Sequence, residues 1–167
     1  MPEKYSVGVS TIKMSVIAAD GGMGIALVDV GEILEGTASF ETGDPNATEF
    51  FSEAKDDPIF RKVKSGTKTL KFSIADMTPA KVVLFMGGAA SGITPAFKYE
   101  FADTFPTLER SFEILTPDGI TIQIVRAQVS AKVMWALDGK KIAQVDVTAQ
   151  VLAPTKAATK SVNWVLS

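Results

Sequence analysis

A chain of 167 residues that is 46% hydrophobic and 22% charged, with no cysteine and no histidine, has the composition of a folded domain rather than a disordered one. Those two absences exclude a disulfide framework, a thiolate metal site, a cysteine nucleophile, and histidine as general base or zinc ligand. Lys+Arg 17 against Asp+Glu 19, a net charge of -2, leaves no basic excess for holding nucleic acid by counterion release. The opening Met1-Pro2-Glu3-Lys4-Tyr5-Ser6 has neither a basic n-region nor an apolar h-region. The apolar runs fall short of the ~20 residues of a membrane span. One domain over residues 1–167 is expected, folded in a cytoplasm, with no membrane partner, metal or cofactor.

The dominant period along the chain is two. Ile12, Met14 and Val16 alternate with polar neighbours until Gly21-Gly22 breaks the pattern. Residues 24–30 form a short apolar stretch that predicts a strand pairing back across those glycines. Thr37 to Glu41 predicts another strand, and Leu70, Phe72 and Ile74 give the cleanest alternation of the first half. The period then changes. Thr78-Pro79 supplies an N-cap residue and a proline at the first helical position, and Gly87-Gly88 supplies a stop, predicting one helix over 78–87. Residues 110–115 and 120–125 predict a hairpin across Thr116-Pro117-Asp118-Gly119. The apolar parity flips from Ile120, Ile122 and Ile124 to Val125, Ala127, Val129, Ala131, Val133 and Trp135, which predicts a bulge near Val125-Arg126. Ala143 to Val151 predicts the return strand of a second hairpin, and Val162, Trp164 and Leu166 a last strand. About eight strands and one helix result. The fold class is mainly β: an antiparallel β-sandwich or open barrel with one short flanking helix.

No catalytic constellation emerges. Gly87-Gly88-Ala89-Ala90-Ser91-Gly92 follows a helix and lacks the lysine of a phosphate-binding loop, and Ser91 has no histidine to activate it, which leaves only a formal Ser-Lys dyad. Glu53, Asp56 and Asp57 do not have the spacing of a calcium loop. Charge, by contrast, is segregated. Glu32, Glu35, Glu41, Asp44, Glu49, Glu53, Asp56 and Asp57 are opposed only by Lys55, and Arg61, Lys62, Lys64, Lys68, Lys71 and Lys81 only by Asp76. Either the patches are solvated or meet within one subunit, or an acidic face of one copy docks on a basic face of the next, which builds rings or filaments. Residues 43–67 predict a long connection without a long regular element. Its aromatics, Phe50, Phe51 and Phe60, either bind a partner surface or fold back on the core.

Several stretches together resemble the major tail (tube) protein of long-tailed bacteriophages and prophages. They are Glu35-Gly36-Thr37-Ala38-Ser39-Phe40, Thr48-Glu49-Phe50-Phe51-Ser52-Glu53 with Asp56-Asp57-Pro58, Lys71-Phe72-Ser73-Ile74-Ala75-Asp76, the Gly87-Gly88 closing the helix, and the meander from Thr107 to Pro154. The order of these elements, over residues 30–155, carries the resemblance. It implies a non-enzymatic virion protein, assembled in the host cytoplasm, that forms rings, typically hexamers, stacking into the tail tube. Other tail proteins are its partners and DNA is its transiting cargo. It also implies that the 43–67 loop reaches a neighbouring subunit or ring. The candidate interface is then Glu49, Phe50, Phe51, Glu53, Asp56, Asp57, Phe60, Arg61, Lys62 and Lys64. The long strands 127–135 and 141–151 either line the channel or form core. The inner tube of a contractile injection or type VI-like system is the nearest alternative. A carbohydrate-binding β-sandwich is the alternative of another class, set against the expectation that Trp135 and Trp164 are buried.

Overall fold

A computed structural model describes residues 5–93 and 95–166. Its main sheet is eight-stranded, in the order β2-β1-β9-β10-β11-β6-β3, with β12 pairing to β10 off this path. The strands are β1 (Thr11–Val16), β2 (Val28–Asp29), β3 (Ser39–Thr42), β6 (Lys68–Ile74), β9 (Leu108–Leu115), β10 (Ile120–Met134), β11 (Gln144–Val151) and β12 (Val162–Leu166). All their pairings are antiparallel. Alternation decides which face is buried. Leu70, Phe72 and Ile74 of β6, Val145, Val147 and Ala149 of β11, and Ile12 and Met14 of β1 all enter one core cluster. Phe72 and Phe112 meet edge to face at 6.3 Å between ring centroids. In a flat sheet the two strands between β6 and β9 would hold those backbones about 14 Å apart. The sheet therefore folds over on itself as a sandwich, with these rings in its interior.

The parity flip corresponds to a bulge between Ile124 and Ala127 in the β9–β10 ladder. Ile124 and Val125 are both buried, so two consecutive side chains point inward there. At that point β10 also changes partner along its other edge. Residues 120–124 pair with β12 and residues 127–134 with β11. The displaced backbone is satisfied by Val125 N–H donating to the Ser161 carbonyl at 3.0 Å and the Arg126 carbonyl accepting from Leu152 N–H at 2.9 Å. The bulge thus bends one long strand into both layers of the sandwich. Preceding it, the predicted turn closes around Thr116, whose Oγ1 accepts from Ile120 N–H at 3.1 Å, with Gly119 at φ +77.

Helix α1 (Pro79–Met86) starts one residue after Thr78 and ends at Gly87, whose N–H donates to the Val83 carbonyl. Thr78 makes no side-chain cap bond; its Oγ1 donates instead to Asp76 Oδ1 at 2.6 Å. Val82 and Phe85 are the buried face, and Phe85 stands edge-on to Phe72 at 6.0 Å. Three expectations need correction. The stretch 24–30 is strand only at Val28–Asp29, because Gly24 takes its N–H to Ser111 Oγ at 3.0 Å and turns Ile25 to solvent. Residues 43–67 are not an irregular loop: β4 (Asn46–Ser52) and β5 (Lys55–Lys64) form a separate two-stranded ribbon. A second small ribbon follows α1, β7 (Ala89–Ser91) with β8 (Lys98–Glu100), where glycine-rich loop was expected.

Candidate functional site

The β4–β5 ribbon stands off the molecule. All its residues from 46 to 64 are exposed except Ser52, which is half-buried, and none joins the core cluster. The register pairs Asn46 with Lys64, Thr48 with Lys62 and Phe50 with Phe60, so these six side chains share one face. The two rings lie 5.8 Å apart, tilted, with exposures of 48% and 59%. The opposite face carries the Glu49–Arg61 pair, with 3.6 Å between the charged groups. Every residue of the sequence-derived interface therefore lies on this ribbon. Phe51 sits at its register shift and Glu53 in its turn, while Asp56 and Asp57 begin β5. The structure brings together Phe50 with Phe60 and Glu49 with Arg61. It gives Asp56, Asp57, Lys62 and Lys64 no ion pair among the described residues. Of the two readings of the aromatics, folding back on the core is excluded. Of the readings of the charges, internal pairing holds for Glu49–Arg61.

A second surface escaped the sequence reading. The phase opposite the core is polar throughout in β11 and up to Lys132 in β10, with Met134 the apolar exception at the strand's end. It forms three cross-strand rows: Glu109–Gln128–Gln150–Thr69–Glu41, Ser130–Thr148–Lys71–Ser39 and Lys132–Asp146–Ser73. The two long strands are thus core on one face and a polar wall on the other. Its charges are matched within the wall. Arg126 forks onto Glu109 through Nε at 2.9 Å and Nη2 at 2.8 Å. That bidentate pairing holds the Glu109 carboxyl below its ordinary value, against the pull of burial. Burial pushes Asp146 up, yet the Ser73 hydroxyl and Gln144 amide, both at 2.6 Å, and Lys132 at 3.7 Å outweigh it and leave its pKa lowered. The signal available in the sequence was the Gln-Asp-Thr-Gln phase of β11, read there only as the complement of the apolar phase.

The third feature is an open cleft of about 1080 Å³ between the layers, lined on its apolar walls by Ile12, Leu34, Phe40, Ile122, Val162 and Trp164. Trp164 is 71% exposed and Trp135 64% exposed, which corrects the expectation that both are buried. An apolar phase marks an inward side chain only where another layer covers it. In β12 only Val162 packs against the core, and Trp164, like Trp135 past the end of β10, is left open to solvent. With both indoles exposed, their burial no longer argues against a carbohydrate-binding sandwich. Among the described residues no cluster of three or more acidic side chains could hold a metal ion, and no helix is long and apolar enough to cross a membrane.

Comparison with known families decides between the classes. The profile of a family described as phage tail tube protein matches residues 28–167. The chain belongs to the phage tail tube protein family. No curated protein matches it. The match takes in both the ribbon and the polar wall of this tail tube protein. It extends the resemblance seen in residues 30–155 through β12 to the end of the chain. Membership makes the role structural and implies a component of the virion tail.

Proposed function

We propose that this tail tube protein acts as one ring-forming unit that assembles with itself into stacked rings, hexameric in the tail-tube pattern, and that DNA passes through the resulting channel. The observation that carries the reading is the ribbon. A two-stranded hairpin exposed on both faces is marginal in water, and large aromatics on such an arm match the composition of interface cores rather than of free surface. Glu49, Phe50, Phe51, Glu53, Asp56, Asp57, Phe60, Arg61, Lys62 and Lys64 are then the subunit contact. The polar wall suits the channel side. Its carboxylates Glu41, Glu109 and Asp146 are matched in number by Lys71, Arg126 and Lys132, leaving no cationic excess to bind phosphates and stall a moving duplex. Other tail proteins cap or initiate the tube, and assembly takes place in the host cytoplasm. Negative-stain electron microscopy of the concentrated protein, with light scattering, tests the reading. Rings or hollow tubes are expected. A particle that stays monomeric both alone and with the tail partners added overturns it.

A further inference from the structure

We infer that the cleft between the sandwich layers receives the β4–β5 ribbon of a second copy of this chain. The inference rests on the self-assembly proposed above and adds the receiving surface, which neither the family match nor the exposed ribbon specifies. Folded interiors are close-packed, with few voids larger than a water molecule. A cleft of about 1080 Å³ walled by Leu34, Phe40, Ile122, Val162 and Trp164 is therefore an unfilled apolar surface, of the kind that marks an interaction site. The ribbon offers the complementary shape: Phe50 and Phe60 side by side, with Thr48, Lys62, Asn46 and Lys64 behind them on the same face.

Charge selects the same pairing. Glu32 and Glu35 line the cleft, are exposed and have no ion pair among the described residues; Lys62 and Lys64 of the ribbon have none either. Seating the two rings in the cleft brings unpaired cations toward unpaired carboxylates, which steers the encounter and fixes its direction. Donor and receiver are different surfaces of one molecule, so every copy offers one of each. Such a heterologous contact propagates into a ring or a filament rather than closing as a dimer.

A charge-exchange experiment tests this in the intact chain. One variant carries Lys62→Glu and Lys64→Glu, the other Glu32→Lys and Glu35→Lys. All four positions are exposed, so both variants are expected to keep the wild-type melting temperature. Each alone sets like charges against each other and is expected to lose at least ten-fold in assembled mass by light scattering. An equimolar mixture restores opposite charges at every contact and is expected to recover assembly, with the two variants alternating. The chain has no cysteine, so mixing a Phe60→Cys protein with a Leu34→Cys protein adds a direct readout. A short bis-maleimide should join the two chains, while neither protein alone forms the linked pair. If wild type assembles but each charge variant assembles as well alone, or the mixture gives no linked pair, the docking site is wrong and self-assembly stands. A Phe60→Cys/Leu34→Cys double variant that links within one chain shows the cleft filled by its own ribbon and overturns the inference. A wild type that never assembles removes the self-assembly reading and this one with it.

Discussion

Asp146 and Val147 are adjacent in β11 yet stand on opposite faces, and their chemistry is opposite too. Val147 is fully buried between Ala131 of β10 and Phe72 of β6 in the register. Val147→Asp places a carboxylate there without a partner and is expected to cost at least about 3 kcal/mol, read as loss of soluble protein or a collapsed denaturation midpoint. Asp146 is held below its ordinary value of 3.8, so the folded state takes up a proton less readily than the unfolded chain. The stabilisation it supplies is complete above pH 3.8 and disappears as pH falls through the lowered folded value. Asp146→Asn should therefore be less stable than wild type at pH 7, with the gap narrowing progressively once the pH falls below 3.8, as urea midpoints across an acid series will show. Glu109, lowered by Arg126, acts with the same sign. The burial of Val147 was legible from the alternation Val145-Val147-Ala149. The setting of Asp146 was not, because Ser73 and Lys132 reach it from two other strands and no local pattern announces them.

At the scale of elements, the legible parts were those whose pattern is set by a single core. Pro79 and Gly87 bracket α1 because a proline at the first helical position and a glycine at positive φ past the last are local signals. The parity flip located the bulge because a strand in one register cannot bury both phases. The ribbon was missed for the converse reason. With solvent on both sides, β4 and β5 carry Phe50, Phe60, Lys62 and Lys64 on a single face, so no hydrophobic period of two appears, and Pro58 reads as a breaker although an edge strand tolerates it. Replacing both Phe50 and Phe60 with serine is expected to leave unfolding within about 0.5 kcal/mol of wild type, as for surface positions, while abolishing rings or tubes under the microscope. The β7–β8 ribbon depends on Gly88, at φ +80, where an added Cβ would lie 2.3 Å from the Glu100 carbonyl oxygen. Gly88→Ala is expected to destabilise the protein by about 1–3 kcal/mol, measured by thermal unfolding, because it separates β8 from the end of α1, where the Tyr99 hydroxyl donates to the Gly87 carbonyl at 3.0 Å.

For the whole molecule, the sandwich was legible because its strands alternate and its turns are marked, whereas the tryptophans misled because burial was inferred without knowing what covers them. The surfaces relevant to assembly are divided: a polar wall on β3, β6, β11, β10 and β9, an apolar cleft between the layers, and an exposed arm that belongs to neither. The arm has a consequence for timing. Holding a two-stranded ribbon in one conformation costs backbone entropy of about 1–2 kcal/mol per residue fixed, and an unattached copy gains no tertiary contacts to offset it. The first encounters are therefore weak and short-lived. Growth becomes favourable once an existing end presents several ordered partners at once. Scattering from a fresh solution should show a lag that sonicated tube fragments abolish, so that subunits made in excess stay dispersed until an end is available to extend.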